Sequence, residues 1–217
     1  MTDPLAALAL GFGLGLRHAT EPDHVAAVST MATRAASLRD AGRIGVLWGL
    51  GHSATVLLVG MTVLALGRAV PGELARLLEG VAGAMLLGLA AWALLARRRT
   101  PHALRGHADG PTGRAAGDAR RSFLVGTMHG LAGSAAVALV LLASGERPGH
   151  GMAYLLTFGA GTTLGMGLLA AVFARTVAAV AARGGATASR LVRRVRTASA
   201  VVSAALGVAL VAGAVRG

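Results

Sequence analysis

Residues 16–33 read LRHATEPDHVAAVSTMAT, and this stretch decides how the chain folds. A long apolar N-terminal segment is interrupted here by five ionisable side chains, those of Arg17, His18, Glu21, Asp23 and His24. An ionisable side chain at the centre of a membrane helix costs about 2.5–3.5 kcal/mol on insertion scales, so such residues mark function by default. Five of them within eight positions therefore indicate a functional site.

The chain around this stretch has the composition of a membrane protein. Of its 217 residues, 54% are hydrophobic and 14% are charged, and the mean hydropathy is +0.65. Several apolar runs reach about 20 residues, the length that crosses about 30 Å of hydrocarbon. We therefore predict an all-α polytopic membrane protein with six transmembrane helices, at about residues 4–33, 44–67, 74–96, 122–144, 151–175 and 197–215.

The first predicted span is too long for one straight helix across the bilayer, since residues 4–33 would extend about 45 Å. Pro22 lacks a backbone donor and clashes with the preceding turn, so we expect a break near residues 19–22. Thr20 and Asp23 have the spacing of a capping box, with Pro22 in the first turn of the restarted helix. A broken membrane helix is tolerated only where it is buried in protein or lines a wet cavity, so the break supports a site here.

The arginines predict the orientation in the membrane. The chain has 21 arginines and no lysine, and 15 of them lie in the loops after the first, third and fifth spans, against four on the opposite side. By the positive-inside rule, these three loops face the cytoplasm and both termini face outward. The net charge of +12 thus reflects topology. With 3% aromatic residues, the chain also lacks the stacking platforms of a nucleic-acid-binding protein.

A basic linker, residues 97–121, divides the chain into two halves, 1–96 and 122–217. Each half contains three predicted helices, and residues 11–28 weakly resemble residues 124–140 in an apolar run followed by histidine and small residues. An odd number of helices per half places the two copies in opposite orientations, which predicts two inverted three-helix repeats. The shared Ala, Gly and Leu content of the halves is the alternative explanation for their likeness.

Four of the seven histidines fall inside the predicted spans. Neutral imidazole and carboxylate groups are good ligands for divalent nickel, cobalt, zinc or copper, and the absence of cysteine excludes thiolate sites. We therefore predict a metal site formed by His18, Asp23, His24, His52 and His129. A lone membrane histidine makes an interhelical hydrogen bond equally well, so His52 and His129 taken singly leave both interpretations open.

Five polar residues are predicted to support these ligands: Arg17, Glu21, Ser53, Thr55 and Ser134. Arg17 is expected to pair with Glu21 or to reach the membrane interface, and Glu21 to supply a supporting carboxylate or a helix cap. The three hydroxyls accompany His52 and His129 in the sequence. Trp48 is assigned to packing or to the membrane interface.

Residues 17–24, RHATEPDH, resemble the first signature of the nickel/cobalt transporter family, which is Arg-His-Ala, three variable or acidic positions and Asp-His. Residues 50–56, LGHSATV, resemble its second signature, Leu-Gly-His-Ser-Thr-Val-Val, at a similar spacing. The resemblance implies a nickel or cobalt permease of the bacterial plasma membrane, with His18, Asp23, His24 and His52 along the route of the metal. Residues 129–136, HGLAGSAA, look like the shorter, urease-accessory-type branch of that family.

These features predict a secondary carrier and not an enzyme. It would move a divalent metal inward through the lipid bilayer, nickel first and cobalt next, with no cofactor and with metalloenzyme maturation proteins as candidate partners. The sequence contains no phosphate-binding loop, which is typical of a carrier that needs no nucleotide. An inside-negative potential contributes about 2.3 kcal/mol per charge per 100 mV to inward movement.

Three other functions fit parts of the sequence. The same site could belong to an exporter driven by proton antiport, which a proton dependence of the flux would reveal. The protein could be a non-transporting accessory factor for metalloenzyme assembly, which would move no metal in vesicles. An electron-relay or thiol-handling protein of the related six-helix superfamily is the third, and the absence of cysteine argues against it.

Overall fold

The computed structural model describes residues 4–33, 35, 37–95, 119–131 and 148–216. The regular structure in these ranges is helical, which confirms the all-α class. The helices are α1 (Pro4–His18), α2 (Pro22–Ala32), α3 (Leu38–Leu66), α4 (Gly72–Leu95), α5 (119–131), α6 (Pro148–Ala182) and α7 (Gly185–Arg216).

Within the described ranges, four helices are long and apolar enough to cross a membrane: Leu38–Leu66, Gly72–Leu95, Gly149–Ala182 and Gly185–Arg216. These correspond to four of the six predicted spans. Both α6 and α7 extend past the predicted 151–175 and 197–215: α6 continues through the largely apolar residues 176–182, and α7 begins in the arginine-rich residues 185–196. The described residues include the predicted 122–144 span only to residue 131, and the linker 97–121 only from residue 119. The division into inverted repeats stays a prediction.

The predicted break in the first span is confirmed. Helix α1 ends at His18, and α2 restarts with Pro22 as its first residue. The predicted capping box is wrong: the N-cap is Glu21, no side chain caps the helix, and the Thr20 hydroxyl instead donates to the Arg17 carbonyl at 2.6 Å. The reason is the position at which the helix starts. Pro22 is the first helical residue, so the N-cap is Glu21 and Thr20 lies one residue before the N-cap position.

The helices pack at glycines. Helices α1 and α3 both lie along α6, and a Cβ on Gly15 would collide with the Phe158 carbonyl of α6. Helix α4 packs chiefly on α7, where Gly83 and Gly207 approach each other's carbonyls. Such small residues let membrane helices come close enough for polar side chains to meet. The short α2 contacts α3, α4, α6 and α7 and so lies between these two packing groups.

Candidate metal centre

The break between α1 and α2 places four polar side chains close to one another. His18 lies at the end of α1, Glu21 lies in the turn, and Asp23 and His24 lie in the first turn of α2. Helix α3 brings His52 to the same place, and α5 brings His129. The five predicted ligands, which the sequence spreads over 112 positions, therefore form one cluster.

The first half of the cluster consists of imidazoles. The Nε2 atoms of His18 and His52 lie 3.2 Å apart, and the ring centroid of His24 lies 4.5 Å from that of His18 and 5.0 Å from that of His52. One ligand atom from each of these three residues falls within 4.8 Å of the others. Three such nitrogens suit a borderline divalent cation.

The second half of the cluster is built on Asp23. Its Oδ1 lies 3.0 Å from Nδ1 of His24, and its Oδ2 lies 2.9 Å from Nε2 of His129. Asp23, His24 and His129 form a second set of potential ligand atoms within 4.8 Å of one another. His24 belongs to both sets. Its Nδ1 faces the Asp23 carboxylate, and its Nε2 has no hydrogen-bond partner.

Two carboxylates fix the orientation of two imidazoles. Glu21 Oε2 lies 3.0 Å from Nδ1 of His18, and Asp23 accepts from Nδ1 of His24. An ionised carboxylate only accepts hydrogen bonds, so the proton of each neutral ring sits on Nδ1 and the lone pair on Nε2. This arrangement of carboxylate and histidine is the one that orients histidine ligands in metal sites.

The interior of the cluster is buried and rich in unpaired nitrogens. His24, His52 and His129 are at most 1% exposed. Among the described residues, the buried side-chain polar atoms without a hydrogen-bond partner are His24 Nε2, Trp48 Nε1, His52 Nδ1 and His129 Nδ1. Leaving a buried polar group unpaired costs about 1–3 kcal/mol. All four belong to this cluster or to its wall, so the residues present fit a bound cation and its water.

The structure describes four of the five predicted supporting residues, and Glu21 is the one that contacts a predicted ligand. Arg17 is exposed, and the described residues include no ion pair between it and Glu21, whose carboxylate contacts His18 instead. Ser53 bonds across to α6, at the Gly159 carbonyl and the Thr163 hydroxyl. Thr55 donates to the Gly51 carbonyl of its own helix. Ser134 lies outside the described residues.

Trp48 is a residue of this site that the sequence reasoning assigned to packing. It is fully buried, and its ring centroid lies 5.7 Å from that of His24 and 5.6 Å from that of His129. The available signal was its spacing, because Trp48 precedes His52 by four residues and so shares its face of α3. Phe158 of α6 closes another side, 5.2 Å from the His18 ring.

Comparison with known proteins bears on the family to which the chain belongs. The family model described as NicO, high-affinity nickel-transport protein, matches residues 5–98. The urease accessory protein UreH of Bacillus sp. (strain TB-90) is 40% identical over 169 residues, which is 76% of this chain and 74% of that protein. No solved structure matches. The broken first span with its histidines and aspartate thus lies within the matched region, and the chain belongs to the NicO family of high-affinity nickel-transport proteins.

Proposed function

We propose that the protein is a secondary carrier that takes up a divalent metal across the bacterial plasma membrane, with nickel as its first substrate and cobalt as its second. Both termini lie outside the cytoplasm in this proposal. The observation that carries it is the convergence of four imidazoles, one each from α1, α2, α3 and α5, with the carboxylates of Glu21 and Asp23 beside them. Membership in a nickel-transport family supports the same substrate.

The distance between His18 and His52 suits two ligands of one ion. With metal–nitrogen bonds of about 2.1 Å, Nε2 atoms that lie 3.2 Å apart subtend an angle of about 100° at the metal. The unpaired Nε2 of His24 supplies a third ligand to the same ion. In this arrangement Glu21 and Asp23 hold their histidines in the binding tautomer, and water completes the coordination shell.

The second ligand set gives the ion a neighbouring position. Asp23, His129 and the Nδ1 atom of His24 surround it. A neutral imidazole has one lone pair, so His24 cannot bind an ion at both positions at once. The cluster therefore holds one ion at a time, and an ion that leaves the three imidazoles meets Asp23 and His129 next.

Reconstituted protein provides the direct test. Purified wild type, His18→Ala and Ser189→Ala are placed in liposomes with an inside-negative potential, and uptake of nickel-63 and cobalt-57 is measured. Ser189 is an exposed residue whose hydroxyl bonds within α7. Its variant therefore serves as a control for the effects of substitution, purification and reconstitution. We expect accumulation with wild type and Ser189→Ala, and a loss of at least tenfold with His18→Ala. Absence of flux in both vesicle orientations, with and without a proton gradient, would contradict the proposal.

The exporter and the accessory factor remain the alternatives. Metal movement that requires an opposing proton gradient and ignores the potential would favour the exporter. A protein that binds nickel and moves none would favour an accessory role, as the name of the urease accessory relative suggests for that protein. On our proposal, the imported nickel supplies maturation of a metalloenzyme such as a urease.

A further inference from the structure

The first third of α7 extends beyond the apolar part of the helix. Helix α7 is 32 residues long, or about 48 Å, whereas the hydrocarbon core of a bilayer is about 30 Å thick. Residues 185–196 precede the apolar run 197–215 and contain no acidic residue and four arginines: Arg190, Arg193, Arg194 and Arg196. Two of these already have partners, because Arg190 bonds within its own turn and Arg196 donates from Nε to the Thr33 carbonyl.

Arg193 and Arg194 are the two arginines of this segment that remain for an outside partner, and we call them the arginine pair. Both are exposed, and the described residues supply neither guanidinium with a hydrogen bond or an ion pair. No acidic residue follows Glu146 in the sequence, and the linker 97–121 contains seven arginines and two aspartates. The net positive charge of that linker would repel the pair. An anionic group that binds the pair therefore comes from another molecule.

A line of exposed valines continues along α7 from the arginine pair. Val201, Val208 and Val215 are 54%, 57% and 81% exposed, and their spacing of seven residues places each within about 20° of the next around the helix. They belong to a helix that is long and apolar enough to cross the bilayer, so they face acyl chains. At about 100° per residue, Arg193 and Arg194 lie on either side of this line. The apolar line thus ends between two guanidinium groups.

The packing of α4 on α7 shows which parts of the two helices lie at the same depth. The helices run antiparallel, since Gly80 of α4 approaches Ala214 of α7 and Gly83 approaches Gly207. The last turn of α4 therefore lies beside about residues 195–198 of α7.

Trp92 of α4 marks the membrane interface at that depth. It follows Gly83 by nine residues and so lies about level with residue 198 of α7. Tryptophan is enriched where hydrocarbon meets headgroups, and the Arg121 guanidinium lies 5.1 Å from the centroid of the Trp92 ring. Arg194 lies about 6 Å beyond this level, and the headgroup layer adds about 5–8 Å to each side of the hydrocarbon. The arginine pair is therefore at the depth of the lipid phosphates.

We propose that Arg193 and Arg194 bind the phosphate of an anionic phospholipid, one acyl chain of which lies along Val201, Val208 and Val215. A guanidinium donates two parallel hydrogen bonds to a phosphate, and basic segments next to membrane helices attract anionic lipids. The valine line favours a lipid over an acidic protein, because an acidic protein would contact the arginines and leave the valines to other molecules. The inference does not depend on the proposed metal transport.

Native mass spectrometry of the purified protein tests the headgroup, with anionic phosphatidylglycerol and zwitterionic phosphatidylcholine in competition. Arg193→Gln/Arg194→Gln removes the pair, and Arg68→Gln/Arg216→Gln removes the same charge from exposed residues near the other end of α7. We expect wild type and this control to prefer phosphatidylglycerol at least tenfold, and the first variant to lose the preference. Equal losses in the two variants would indicate an effect of total charge. A wild type without preference would leave an acidic protein as the occupant, and either result overturns the inference.

Fluorescence quenching in the bilayer tests the acyl chain and needs only the native arginines. The cysteine-free chain is labelled with a fluorophore at Val208→Cys, or at Leu58→Cys of α3 as the control, since these side chains are 57% and 69% exposed. Phosphatidylcholine liposomes contain a trace of phosphatidylglycerol or phosphatidylcholine with a nitroxide on its acyl chain. We expect the anionic probe to quench at least threefold more than the zwitterionic probe at position 208, and equally at position 58. An excess at both positions, or at neither, would contradict the assigned site.

Discussion

At the residue scale, Asp23 accepts a hydrogen bond on each carboxylate oxygen, from His24 at 3.0 Å and from His129 at 2.9 Å. It thereby fixes the tautomers of two rings that belong to different helices. Glu21 plays the same part for His18. Residues that hold a metal-binding histidine in this way typically contribute 10- to 100-fold to metal affinity. The centre thus depends on its acidic residues as much as on its imidazoles.

Asp23→Asn replaces one acceptor oxygen by an NH₂ donor, which faces a ring N–H and forces one histidine out of its tautomer. We expect the affinity for nickel, measured by calorimetry in detergent, to fall about 10- to 100-fold. Asp40→Asn makes the same change near the start of α3, where Ser37 donates to the carboxylate, and serves as the control. Equal affinities for all three proteins would refute a role for Asp23 in the centre.

At the element scale, the position of the centre depends on how closely α1 lies against α6. Gly15 meets the backbone of Phe158 and Thr162, whereas Gly13, two residues earlier, has open space where a Cβ would be added. A side chain at Gly15 would push apart the helices that carry His18 and Phe158. The break at Pro22 acts at the same scale, because it lets His18 and His24 leave the faces that one straight helix would give them.

Gly15→Ala is expected to destabilise the protein by about 1–3 kcal/mol, the usual cost of overpacking. Gly13→Ala is expected to be neutral or to stabilise by up to about 1 kcal/mol through helix propensity. Thermal unfolding in detergent, with both variants measured beside wild type, tests the pair. A Gly15→Ala variant as stable as Gly13→Ala would show that the close α1–α6 contact is absent in solution.

At the scale of the whole molecule, packing cuts across the predicted halves. Helix α4 of the first half packs on α7 of the second, while α1 and α3 pack on α6. Helix α2 contacts members of both groups, as α6 also contacts α7 directly, and α7 holds α2 through buried polar contacts. Ser203 donates to the Ala26 carbonyl at 3.0 Å and lies 2.9 Å from the Thr30 hydroxyl.

Ser203→Ala removes both of these contacts. Interhelical hydrogen bonds in membranes contribute about 0.6 kcal/mol on average and up to about 1.7 kcal/mol, so we expect a loss in this range and a lower Tm in detergent. Ser189→Ala removes a hydroxyl that bonds only within α7 and should leave Tm unchanged. If the two variants unfold at the same temperature, α7 does not hold α2 through Ser203.

The sequence by itself determined the features that depend on local chemistry. Apolar runs of membrane length predicted the helical class, and four of those spans are recovered. Pro22 predicted the break, because a residue without a backbone donor interrupts a helix whatever surrounds it. The charged stretch beside it marked the site, since the cost of burying such residues in a membrane does not depend on the rest of the fold.

Only the tertiary structure decided which atoms meet. Asp23 and His129 are 106 positions apart, and their contact depends on the rotation and spacing of helices that close glycine contacts set. The same rotation directs Ser53 and Thr55 away from the cluster and turns Trp48 toward it. The type of a residue shows that it can serve as a ligand. The direction of its side chain relative to the other helices depends on how the helices pack, and no local pattern in the sequence encodes that packing.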